Sequence, residues 1–347
     1  MIRAAALLLL MLLSATQASA DGEVTPLFRD DAVLRITFEG PIRRLVRTME
    51  ADEPELHDAV MTVLGTGERH PVKLRARGNF RRDRSNCRFP PLRVVIPGNP
   101  TEEELFDKQG SIKLVTHCRD RRNYTQYVLA EYLAYRLYNL VTDESLRVRL
   151  ADISYINTGN GREVARQLGF FIEDIDDLAR RLDMEEVEVP GVDRDQLAAG
   201  AAARYAVFQY MIGNLDWSVL AGPEGEDCCH NTKLVGADED AGTALVPVPY
   251  DFDHAGIVDA SYAKPPEKLR VRSVRTRRYR GFCAVNAEAL ETIAKLRAIR
   301  PAIYNEVAAI PGLDERKRGV ITAYLDSFYE DIRDDDAVER HLFARCR

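Results

Sequence analysis

The chain has 347 residues, of which 46% are hydrophobic and 30% charged, with a formal net charge of −7. That length can bury a sizeable core, as one two-lobed domain or two small ones. The charge is of mixed sign, an ordinary solvated surface, and it argues against a dedicated nucleic-acid binder.

Residues 1–20 read as a signal peptide: Arg3 precedes an apolar run, and Ala18-Ser19-Ala20 offers a cleavage site before Asp21. The run is too short to span a bilayer, and no later segment approaches the length needed, so no membrane span is expected after cleavage. The mature protein is expected to be exported, periplasmic or secreted. Cys87, Cys118, Cys228, Cys229, Cys283 and Cys346 all follow the leader. An even set in an exported chain suits up to three disulfides, and the C-x-x-C pairs that zinc would want are missing. Connectivity is not legible, although Cys87 and Cys118 flank one strand pair and suggest a couple.

Residues 33–38 alternate apolar and polar, 59–64 read as a strand, and Gly65-Thr66-Gly67 turns into a second alternating run, 71–77. Short strands follow at 92–96 and 111–116. Residues 124–140 form a helix that is apolar or aromatic almost all round, hence buried. Two strands, 147–157 and 163–173, are joined by the turn Thr158-Gly159-Asn160-Gly161. After an acidic joint at 176–195 the periodicity becomes helical over 193–212, 287–299, 301–310 and 313–334. The expectation is an α+β fold: a β-rich portion, 21–175, with one inserted helix, then a mainly helical portion, 176–347.

Three segments carry oxygen donors in order: Asn214-Leu215-Asp216-Trp217, His230-Asn231-Thr232-Lys233 and Tyr250-Asp251-Phe252-Asp253. Asp216 falls on a loop after a helix, Asn231 opens a short strand at 232–235, and Asp251 and Asp253 end another at 244–250. Each residue alone reads as readily as a cap or a surface charge. Together they order an Asp, an Asn and an Asp-Phe pair as kinase-like phosphotransferases do, where the work is positioning and metal-assisted charge neutralisation.

Arg75-Ala76-Arg77-Gly78-Asn79-Phe80 resembles the R-x-R-G-N segment of the spore-coat CotH family of atypical protein kinases. Asn214-Leu215-Asp216 and Asp251-Phe252-Asp253 are similar to that family's catalytic and metal-binding motifs, which HipA-like kinases share. The resemblance covers roughly residues 59–256 and implies a two-lobed protein-kinase-like fold that binds ATP and Mg²⁺. It implies that Asp216 is the catalytic base or hydroxyl-orienting group. Asn231 and Asp251 would bind Mg²⁺, with Asp253 an alternative or second ligand. Arg77, Gly78 and Asn79 would lie at a nucleotide-covering turn, and the backbone of 171–174 would meet the adenine. Glu131 would hold a phosphate-binding lysine, Lys113 first and Lys73 in reserve.

The chain departs from that pattern in two places. Residues 217–230 intervene between the Asp and the Asn, and carry Cys228-Cys229, whose disulfide would fold the insertion aside. The segment after Gly78 has Arg81, Arg82, Arg84 and Arg88 where such chains carry lysines. The basic run 264–280 reads first as a solvated loop, with reception of an acidic protein segment or a phosphate as the alternative. His254 lacks a second His at ligand spacing, and His117 and His230 read as structural. Three functions follow: an exported ATP-dependent kinase acting on Ser or Thr of a secreted or envelope protein; a pseudokinase or binding module of the same fold; and a hydrolase using Asp251 and Asp253.

Overall fold

The computed structural model describes residues 24–98, 100–101 and 104–347, so the leader expected over 1–20 lies outside the described residues. The protein is mixed α+β. Seven strands close into a barrel: β1 (Leu34–Gly40), β2 (His57–Val63), β3 (Arg69–Ala76), β4 (Leu92–Val95), β5 (Ser111–Val115), β6 (Val148–Asn157) and β7 (Arg162–Ile172). Their order is β1-β2-β3-β4-β5-β7-β6, and all neighbours are antiparallel except β1 and β6. A short helix α1 (Ile42–Arg47) follows β1.

Alternation decides which core each strand feeds. In β3, Val72, Leu74 and Ala76 are buried while Lys73 and Arg75 stay outside. Phe171 and Leu114 belong to the barrel interior, whereas Phe170, Ile172 and Val115 join the core built around α2 (Arg122–Val141). That helix is buried on nearly every side, as its composition requires. Its Leu129, Leu133 and Leu137 share one core with the helices of the second half.

After β7 come α3 (Ile175–Arg181), the short β8 (Glu185–Glu186), α4 (Ala199–Ile212), β9 (Thr232–Gly236) and β10 (Val246–Pro249). Four helices end the chain: α5 (Asn286–Ala298), α6 (Arg300–Ala309), α7 (Glu315–Asp331) and α8 (Asp335–His341). Three differences from the sequence reading have local causes. The acidic joint contains α3, N-capped by Asp174, with Ile175 and Leu178 buried. The helix expected from 193 begins at Ala199, because Asp193 and Gln196 close a capping box on a 3₁₀ turn and Leu197 is extended beside Leu245. The final helical run, expected over 313–334, is α7, and beyond it lies a further, unexpected helix, α8, capped by the Asp334 side chain.

Three cysteine pairs stand at disulfide distance: Cys87 with Cys118, Cys228 with Cys229, and Cys283 with Cys346. Among the described residues, no helix is long and apolar enough to cross a membrane.

Candidate active site

Helix α4 stops at Gly213, whose φ of +66 is left-handed; a Cβ there would run into the Tyr324 hydroxyl, so both conformation and space call for glycine. The turn buries Asn214. Its Oδ1 accepts from the Asp216 backbone N–H at 3.0 Å, and its carbonyl accepts from Trp217 Nε1 at 3.0 Å. Arg280 braces the loop from the far side, donating Nη1 to the Leu215 and Trp217 carbonyls at 2.8 Å each. Its guanidinium also lies 4.3 Å from the Trp217 ring centroid. Burial, then the neighbouring Arg347, hold Arg280 down to about 10. The peptide before Asp216 and the one after Trp217 are thereby fixed.

The insertion 217–230 leaves and returns through a narrow neck, where the Ser218 N–H donates to the His230 carbonyl at 3.0 Å. Its far part is tied to the strand-like segment after β8 by the Cys228 N–H on the Val189 carbonyl and by a Gly191–Ala221 bridge. Asn231 therefore comes back beside Asp216. Its Nδ2 donates to the Asp216 carbonyl at 2.8 Å and to Oδ2 at 3.2 Å, while His230 Nε2 meets Oδ1 at 2.9 Å. Burial opposes ionisation of Asp216, but the His230 hydrogen bond and charge, with His254 and Asn231, outweigh it and hold the carboxyl below its usual range. The same contact with Asp216 raises His230, against the effect of its own burial.

Strand β10 delivers the third segment. Tyr250 N–H donates to the Asn231 carbonyl at 3.2 Å, and Asp251 N–H to the Tyr135 hydroxyl at 2.8 Å. Phe252 is fully buried, with its ring 4.6 Å from Tyr135 and 5.8 Å from Phe208. Burying a Phe contributes roughly 1.5–3 kcal/mol, which fixes the two flanking carboxylates. Asn231 and Asp251 both have positive φ, +52 and +62. Left-handed backbone at a non-glycine residue costs about 1–3 kcal/mol and gathers at functional sites.

Arg77, Gly78, Asn79, Arg81, Asp216, Asn231, Asp251 and Asp253 all line one cavity of about 460 Å³, between the outer wall of the barrel and the loops around β9 and β10. Gly78 has φ +76, as expected for the turn that carries Arg77 into this space. Val115, Ile172 and Tyr250 supply apolar wall, and His230 and His254 complete the polar side. Asp251 is raised by burial and then by Asp253, with Arg77 and Arg81 opposing. Asp251, half-buried, and Asp253, buried, line the cavity together with the Asn231 side chain, and such oxygen donors suit Mg²⁺. Among the described residues, no group of three or more His, Cys, Asp or Glu is arranged to hold an ion. Mg²⁺ commonly takes only one or two protein carboxylates and completes its shell with water and phosphate, so the donors fit it.

The lysine expected for Glu131 is a different residue. Lys113 lies on the outer face of β5 with its Nζ 5.0 Å from the Tyr250 ring centroid, and Lys73 pairs with Asp58 at 3.5 Å. Burial, then Arg77, bring Lys113 down to about 8. Glu131 is instead paired with Arg81, Nη1 to Oε2 at 3.5 Å, while Arg81 Nη2 donates to the Thr116 carbonyl at 2.6 Å. The register explains the exchange: Lys113 sits opposite Arg93 and Ile172 on the outer face, while the turn after β3 carries Arg81 inward to α2. Burial raises Glu131 well above its ordinary value despite Arg81. His230, read as structural, is bonded to Asp216; only its place next to Asn231 could have flagged it. Tyr262, whose hydroxyl is raised by burial and then by Asp253, and Arg280 had no sequence signal of their own.

No protein-family model matches the chain, and a search of curated proteins finds no match either.

Proposed function

We propose that this cleft is the nucleotide and metal site of an exported, kinase-like phosphotransferase of the CotH-like type, two-lobed in architecture, passing the γ-phosphoryl group of ATP to a Ser or Thr hydroxyl of a secreted or envelope protein. The observation that carries the reading is the convergence on one cavity of Arg77, Asn79, Asp216, Asn231, Asp251 and Asp253, from four separate loops. In this reading Asp251, Asp253 and the Asn231 amide oxygen hold Mg²⁺, which neutralises charge on the phosphates. Arg77, whose backbone N–H is bonded to the Pro91 carbonyl but whose guanidinium has no hydrogen-bond partner among the described residues, offers that guanidinium to the phosphates. Asp216 orients the acceptor hydroxyl and takes its proton as the oxygen attacks phosphorus and ADP leaves. Val115, Ile172 and Tyr250 form the apolar surface for the base.

One observation favours a second reading, a nucleotide-binding module without turnover. Both oxygens of Asp216 are already engaged, by His230 and Asn231, so an acceptor hydroxyl must share a carboxylate oxygen with one of them. The deciding experiment is a thermal shift with ATP over a range of Mg²⁺, joined to a phosphate-transfer assay. ATP at a hundred times its Kd should stabilise by about 2.7 kcal/mol. Asp251→Ala should remove the Mg²⁺-dependent part. Asp216→Ala should keep it while losing transfer if the protein is a kinase. Wild-type binding without transfer to any hydroxyl acceptor supports the second reading, and no stabilisation at any Mg²⁺ level sinks both.

A further inference from the structure

The run 264–280 contains eight Lys and Arg and a single acid, Glu267, in a chain whose net charge is −7. Three of its arginines face inward. Arg275 pairs with Asp259 at 3.2 Å, Arg277 donates to the Met211 and Tyr324 carbonyls and to Ser327 Oγ, and Arg280 braces the Asp216 loop. Arg270, Arg277, Arg278 and Arg345 line a separate cavity of about 410 Å³ with Thr276, and no Asp or Glu is among its lining residues. Arg278 uses one nitrogen on the Leu269 carbonyl at 3.0 Å. The guanidiniums of Arg270 and Arg345 have no hydrogen-bond or ion-pair partner among the described residues.

Two features show that this convergence is built by the fold. Arg270 has φ +51 and ψ 37, a left-handed backbone that glycine or asparagine adopts more readily. Arg345 comes from the far end of the sequence. It is held against the loop by the adjacent Cys346–Cys283 disulfide and by backbone bonds joining Arg347 to Gly281 and Cys283. Like charges gathered without a counterion repel, and a carboxylate would satisfy one guanidinium fork only. A tetrahedral dianion presents acceptor oxygens to several forks at once.

We propose that this cavity is a binding site for a phosphate-class dianion, separate from the cleft and independent of the function proposed for it. The test is calorimetric titration of the mature protein with inorganic phosphate at low ionic strength, with a parallel thermal-shift series. One saturable site is expected, weakened at least about tenfold in the Arg270→Gln/Arg345→Gln double variant and unchanged in Arg77→Gln, which alters the cleft. Neither Arg270 nor Arg345 holds another element, so the double variant should keep the wild-type circular dichroism spectrum. The proposal is overturned if sodium chloride of equal ionic strength reproduces the Tm rise, if the double variant binds like wild type, or if Arg77→Gln alone abolishes binding.

Discussion

Replacing Arg81 by methionine keeps most of the side-chain volume and removes the guanidinium that is paired with Glu131 and also acts on Asp251 and Asp253. Arg81 and Glu131 are 8% and 2% exposed, so water cannot take over. Removing one partner of a buried pair costs about 3–5 kcal/mol. The loss includes the 2.6 Å bond to the Thr116 carbonyl, and the two costs overlap. The protein has one escape, proton uptake by Glu131. That carboxyl is already raised by burial, with Arg81 first among the groups opposing the rise, so it should climb further in the variant. A carboxyl with a raised folded pKa binds more protons folded than unfolded. The variant should therefore lie closest to wild type in acid, and its deficit should grow as pH rises from the already raised wild-type Glu131 midpoint towards the still higher one of the variant. Each further unit of elevation adds about 1.4 kcal/mol. Glu131→Gln should be much milder, since Arg81 keeps Asp251, Asp253 and Tyr262 as neighbours. The double variant should recover part of the loss. Urea unfolding followed by the fluorescence of Trp217, the only tryptophan, at pH 5.5 and pH 8 measures all three. A loss in Arg81→Met below about 1 kcal/mol at pH 8, against the 3–5 expected of a broken buried pair, or the same loss at both pH values, would refute the claim that Arg81 and Glu131 bind the cleft turn to α2.

The Asp216–His230 contact predicts a His230 ring that titrates above the ordinary 6.5 in NMR and falls back in Asp216→Asn. Its stabilising effect should be full between Asp216's ordinary 3.8 and His230's ordinary 6.5, fading in acid through the lowered Asp midpoint and in base through the raised His midpoint. Arg280→Gln should speed amide exchange at 215–218 at least about tenfold, the effect of about 1.4 kcal/mol of local opening. Unchanged exchange there would show that the two carbonyl contacts do not hold the loop.

The strands of the barrel, though not its closure, were legible because they have one dry face. The spacing of Val72, Leu74 and Ala76 marks β3 without further information, and α2 declares its burial by lacking a polar stripe. Elements marked chiefly by charge were hidden. In α3, Asp176 and Asp177 in the first turn and Arg180 and Arg181 in the last complement the helix dipole, yet in the sequence they read as an acidic linker. Asp334 lies in a polar run that gives no sign of the helix that starts after it. Within the site, Asp216, Asn231 and Asp251 could be selected by their order. The partner of Glu131 could not, because it depends on which side of β5 faces α2 and on a turn that carries Arg81 fifty positions along the chain to it.

The fourteen residues between Asp216 and Asn231 do not separate the two in space. A long interval between Asp216 and Asn231 is harmless once Ser218 and His230 close the excursion through a backbone hydrogen bond, since loop closure costs only about 0.6 kcal/mol more for each doubling of length. What must be conserved physically is the meeting of Asp216, Asn231 and Asp251, and the backbone is distorted at two of these three. Glycine would adopt φ +52 or +62 more cheaply than Asn231 or Asp251 does. Neither side chain fills a hydrophobic core, so packing does not account for keeping an oxygen donor at both positions. The tyrosine hydroxyl under Asp251 and the Tyr250 N–H on the Asn231 carbonyl hold the strained backbone in place. The strain is held by hydrogen bonds at two residues that line one cavity, the placing that strained backbone takes at functional sites.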